Sequence, residues 1–83
     1  MTRLEIRLLP ASQIIGYLLA EYDAIDCGGG IVEGDGWTAR FFQGEPFAMR
    51  PGTRVPVLFI EVDGEHEREV SAFLSRMTMR GGG

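Results

Sequence analysis

Between residues 26 and 64 the chain is cut so often by glycine and proline that no helix fits. The cuts are Asp26-Cys27-Gly28-Gly29-Gly30, Gly34-Asp35-Gly36, Gly44-Glu45-Pro46, Pro51-Gly52-Thr53 and Asp63-Gly64. The pieces between them are of strand length and too short for a stable helix. Gly30-Ile31-Val32-Glu33 reads as a short strand and Asp35-Gly36 as a hairpin turn. Trp37 to Gln43 is the returning strand, with Ala39 and Phe41 on one face and Thr38, Arg40 and Phe42 on the other. Phe47 to Arg50 reads as a short edge strand. Val55 to Val62 is the longest strand: Leu58, Ile60 and Val62 share one face, and Val57, Phe59 and Glu61 the other. Pro56 sits near its start, where a missing N–H is tolerated.

The flanks have different periods. Leu4, Ile6 and Leu8 alternate with Arg3, Glu5 and Arg7, a strand with one apolar face. Pro10 then suits a helix start, with Ser12 as N-cap. Ile14, Ile15, Leu18, Leu19 and Tyr22 form a helical stripe, and Gly16 brings that helix close to the sheet. After Asp63-Gly64, Val70, Phe73, Leu74 and Met77 recur at i, i+3, i+4 and i+7. Glu65 and Glu67 near the start of this helix, and Arg76 and Arg80 near its end, suit the helix dipole. The order strand, helix, four strands, helix predicts an α+β fold. A single antiparallel sheet carries both helices on one face. Leu4, Ile6, Leu8, Leu18, Leu58, Ile60, Phe73 and Leu74 are expected in one core.

An 83-residue chain has room for one core, so residues 1–80 read as one domain with a tail at 81–83. The net charge of −4, without a lysine or a basic block, argues against nucleic acid as partner. The chain has no apolar run long enough to span a bilayer, and residues 1–5 alternate instead of forming a signal peptide. Its single cysteine suits a reducing cytoplasm. Gly28-Gly29-Gly30 does not read as a phosphate loop. A helix precedes it and a strand follows, the reverse of what anion binding at a helix N-terminus requires. It reads as a flexible connection, and Cys27 as a small, half-buried residue. His66 reads as a solvated residue on the polar side of the last helix. Asp63, Glu65, Glu67 and Glu69 read as a solvated helix start without metal-ligand spacing. No nucleophile–base pair, metal cluster or cofactor fingerprint is present, so neither an enzyme nor a cofactor is expected.

Two features remain as candidate sites. The first is Arg80-Gly81-Gly82-Gly83. A bare glycine backbone can enter a narrow channel, and ubiquitin-like sulfur carriers end this way so that an activating enzyme can adenylate the carboxylate. The same glycines also serve as a helix stop with a frayed end. The second is the sheet face that the helices leave open, which carries Arg3, Arg7, Arg40, Phe42, Val57 and Phe59. Aromatic residues with arginines suit an interface, and a homodimer is expected there.

The stretch Val55-Pro56-Val57-Leu58-Phe59-Ile60-Glu61-Val62-Asp63-Gly64-Glu65, with the helix closing on Arg80-Gly81-Gly82-Gly83, resembles a domain of unknown function. That domain follows the MoaD-like sulfur-carrier domain in MoaD-related bacterial proteins. The stripe Ile14 to Tyr22 and the Glu45-Pro46 turn are also similar to it. The resemblance implies a TATA-binding-protein-like fold and a place in molybdopterin or related sulfur-transfer metabolism. It also implies an activating enzyme or a separate carrier protein as partner. A β-grasp carrier opens with a strand hairpin before its helix, whereas here a helix follows the first strand directly. Two functions follow: a small accessory protein of sulfur-carrier metabolism activated at its last glycine, or a homodimerising binding module that uses the open face.

Overall fold

The computed structural model describes residues 1–7 and 9–82, with side chains other than those of Phe47, Met49 and Arg80. Leu8 and Gly83, expected in the core and at the tip of the tail, lie outside the described residues.

Alternation sets the first element. β1 (Thr2–Arg7) buries Ile6 and half-buries Leu4, while Arg3, Glu5 and Arg7 face the other way. Pro10 then fixes an extended backbone at φ −75°, and its carbonyl accepts from the N–H groups of Gln13 and Ile14. This opens α1 (Ala11–Glu21), so Pro10 and not Ser12 is the N-cap, without a side-chain bond. Ile14 and Leu18 are fully buried, and Ile15, Tyr17 and Tyr22 pack at the margin. Leu19, expected in the stripe, is 41% exposed because it lies too far around the helix from the Ile14–Leu18 line. Gly16 is exposed, and a Cβ there would meet nothing within 4 Å, so it does not bring the helix onto the sheet.

The middle of the chain holds more strand than its glycines suggest. β2 (Ile25–Gly28) pairs antiparallel with β3 (Ile31–Gly34), where a loop was expected. Gly28, Gly29 and Gly30 all take positive φ, so the glycine run is itself the tight turn. At Gly30 a Cβ would stand 2.5 Å from the Phe41 carbonyl oxygen. After the Asp35-Gly36 turn, β4 (Trp37–Gln43) returns as expected. The expected strand from 55 to 62 is two. β6 (Thr53–Val55) pairs with β5 (Phe47–Arg50) in a separate ribbon, and β7 (Val57–Asp63) enters the main sheet. Pro56, which has no N–H for a ladder, separates them. The order is therefore strand, helix, six strands, helix. The expected antiparallel sheet has its five strands, ordered β1-β7-β4-β3-β2 and antiparallel at every pairing. But β2 stands at its edge where Phe47 to Arg50 was expected, and β5 leaves for the ribbon, so the single sheet and the four-strand segment between the helices are corrected.

α2 (Glu67–Gly82) buries Val70, Phe73 and Leu74, with Met77 at the margin. These residues join Ile14 and Leu18 of α1 and Ile6, Val32, Ala39, Phe41, Leu58, Ile60 and Val62 of the sheet in one cluster. All the sheet members point to one face, so both helices cover that face. Trp37, 5% exposed, closes the cluster at one end. Tyr22 meets it edge to face at 5.5 Å and meets Phe73 in the same way at 5.5 Å. The turn into α2 rests on the β3–β4 turn: at Gly64, with φ of 125°, a Cβ would fall 2.4 Å from the Gly36 carbonyl oxygen.

Candidate functional site

The registers line up the open face in rows. Glu5, Phe59 and Phe42 stand side by side on β1, β7 and β4, and Arg3, Glu61 and Arg40 form the next row, with Ile31 of β3 beyond Arg40. A third row holds Asp63, Thr38 and Glu33. Five of the residues expected to share this face, Arg3, Arg7, Arg40, Phe42 and Phe59, are on it and solvent-accessible. Val57 also falls in the row beside Arg7, but it is only 5% exposed and offers little to a partner.

The centre of the face is a cation held over rings. The Arg3 guanidinium lies 4.5 Å from the centroid of Phe59 and 5.5 Å from that of Phe42. The two rings are 5.7 Å apart and tilted by 31°. Gly44 gives Phe59 its place, since a Cβ there would meet the ring at 2.3 Å. Sequence reading gave Gly44 only a turn role. Glu61 stands between two arginines, 4.0 Å from Arg3 Nε and 3.6 Å from Arg40 Nη2. Arg7 Nη2 donates to Glu5 Oε2 at 2.9 Å. The face therefore has apolar area, accessible guanidinium groups and carboxylates close by to balance them.

The other candidate lies at the end of α2, which is continuous from Glu67 through Gly82, two residues past Arg80. Its last turns line a hollow of about 470 Å³ with Glu21 of α1, through Phe73, Arg76, Met77 and Met79. Met79 is 76% exposed.

Other chemistry-bearing side chains do not converge. Cys27 is exposed on β2 instead of half-buried, because β2 is the sheet edge. His66 precedes α2 instead of lying in it; its N–H donates to the Gly36 carbonyl at 3.0 Å, and its Nε2 is 3.5 Å from Glu65 Oε1. Glu67, expected to be solvated, accepts from Thr2 Oγ1 at 2.8 Å and pairs with the Met1 amine at 3.1 Å. These bonds hold its carboxyl below the usual range, with the Thr2 hydroxyl the larger cause. Burial, with Glu69 and Glu21 nearby, pushes the Tyr22 phenol up. Among the described residues no group of three His, Cys, Asp or Glu could hold a metal, and no helix is long and apolar enough to cross a membrane.

The sequence model of the archaeal MoaD-like protein family matches residues 2–83. The chain belongs to the archaeal MoaD-like family. That membership places it among small proteins of sulfur-carrier, molybdopterin type. The match runs through β1, both helices and the glycine run, so the whole chain carries the likeness. The narrower resemblance, to a domain appended to a carrier in bacterial proteins, finds no support and gives way to this one. No curated protein matches the chain. Among the described residues of this MoaD-like chain no strand hairpin precedes the first helix, and Gly81 and Gly82 form the end of α2.

Proposed function

We propose that this protein is a non-catalytic sulfur carrier whose Gly83 carboxylate is activated and converted to a thiocarboxylate. The observation that carries the reading is the family match that extends from β1 through the three glycines. The carboxylate oxygen would attack the α-phosphate of ATP in an activating enzyme and release pyrophosphate. Hydrosulfide, or a donor's sulfur at the same oxidation level, would then attack the acyl carbon. The C–O bond to AMP breaks, AMP leaves, and a C–S bond takes its place, with no change in redox state. The carrier supplies no acid, base or metal to these steps. Its part is to present a backbone that meets no wall: Gly81 and Gly82 have no Cβ to block an approach channel. A reducing cytoplasm would suit such a product.

Intact-mass spectrometry tests the reading. The protein is taken from its own host, or incubated with the host's activating enzyme, ATP and a sulfide source. The expected result is a shift for one oxygen exchanged for sulfur, mapped to Gly83. Removing Gly82 and Gly83 should abolish the shift and leave the fold intact, since the core cluster lies wholly upstream. An unmodified Gly83 in the presence of a competent enzyme, or a native chain that continues past it, would rule the carrier reading out.

A further inference from the structure

We infer that the open sheet face joins two copies of this chain, related by a twofold axis that lies in the face and crosses the strands. The inference stands on the sheet face and not on the chemistry of the glycines.

Charge selects the occupant. Arg3, Arg7 and Arg40 share the face with Glu5, Glu33, Glu61 and Asp63, so neither sign dominates. A strongly acidic or basic partner would meet as much repulsion as attraction. A second copy meets its complement on the two strands that flank β7. The rotation exchanges the row Glu5–Phe59–Phe42 with the row Arg3–Glu61–Arg40. Arg40 of one copy then stands over Phe42 of the other, a cation on a ring. Arg3 of one copy stands against Glu5 of the other. The contact is isologous, so each pair occurs twice.

Burial of the carboxylate is already provided for. Glu61 lies between Arg3 and Arg40 within one chain, so covering the face leaves it partnered. Phe42, 38% exposed, and Ile31 supply apolar area on either side of Arg40. The five strands, about 4.8 Å apart and about 20 Å long, present roughly 500 Å² per copy. The pair would bury about 1,000 Å², the lower bound for a specific interface. A micromolar dimer is the expected strength, not a permanent one.

Sedimentation and light scattering on the full chain, from about 1 to about 200 µM, test this. The wild type should pass from monomer to dimer across that range. Phe42→Glu and, separately, Arg40→Glu should each weaken the dimer about tenfold or more, while circular dichroism shows the fold retained. Two exposed sites are used so that a misfolded variant of one does not decide the matter. Leu19→Glu, on the exposed side of α1, should leave the dimer unchanged. A wild type that stays monomeric at the highest concentration overturns the proposal. So does a dimer that survives both face variants, or one that Leu19→Glu abolishes. A monomer whose Phe42→Glu variant is modified more slowly by the activating enzyme also overturns it, and assigns the face to that enzyme.

Discussion

At the residue scale, Glu67 shows how one contact fixes a pH dependence. Its carboxylate receives the Thr2 hydroxyl and the Met1 amine, which ties the first strand to the first turn of α2. The folded-state pKa is therefore lowered, first by the Thr2 bond. A depressed carboxylate stabilises the fold fully above its unfolded value, and that stabilisation fades as pH falls through the folded value. Glu67→Gln should thus melt at a lower temperature than wild type near pH 7, with the gap closing as pH falls below the ordinary glutamate range. Thermal melts of both proteins across that range check the sign. A gap that stays constant or widens on acidification would refute the assignment. Sequence reading took Glu67 as a solvated helix start, because its partner is Thr2, 65 residues away, which no local pattern discloses.

At the element scale, the alternations and stripes were legible and the breaks were misread. Arg3, Arg7, Arg40, Phe42 and Phe59 could be assigned to one face because a strand's period of two needs no knowledge of its neighbours. β2 was hidden because positive-φ glycines look alike in a loop and in a tight turn. Local pattern lets Pro56 stand near the start of one strand, yet it divides β6 from β7. Nor did the local pattern show that α2 continues through Gly82. Each glycine costs a helix about 1 kcal/mol against alanine, so the last turn would unwind easily under the proposed function, in which an activating enzyme draws the chain straight. Gly81→Ala with Gly82→Ala should raise helicity at the C-terminus and slow formation of the thiocarboxylate several-fold. Amide exchange at residues 78–82 reads the first effect and timed intact-mass spectra the second. Slower exchange together with unchanged modification would show that the glycines act only on the helix end and not on the chemistry.

At the scale of the whole molecule, one residue outside the expected core ties the layers together. Trp37 begins β4, packs its indole on the Gly34 backbone and meets Tyr22 from the end of α1, which in turn meets Phe73 of α2. Sequence reading placed it only at the start of a strand, because a tryptophan beside a turn has no periodic partner to reveal its side. Sheet and both helices converge there, and the domain has a single main cluster to lose. Truncating a buried tryptophan costs about 3–5 kcal/mol, against a total of about 5–15 kcal/mol for a domain. Small domains sit at the low end, since they bury the smallest share of their surface. Trp37→Ala should therefore lower the melting temperature by about 15 °C or more, or leave the chain without a cooperative transition. Differential scanning calorimetry reads this without relying on the lost indole signal. Phe42→Glu, on the far side of the sheet and 38% exposed, is the comparison and should shift the melt by only a few degrees at concentrations where the chain is monomeric. If Trp37→Ala melts within a few degrees of wild type, α1 and α2 are held to the sheet independently, and Trp37 is not what couples them.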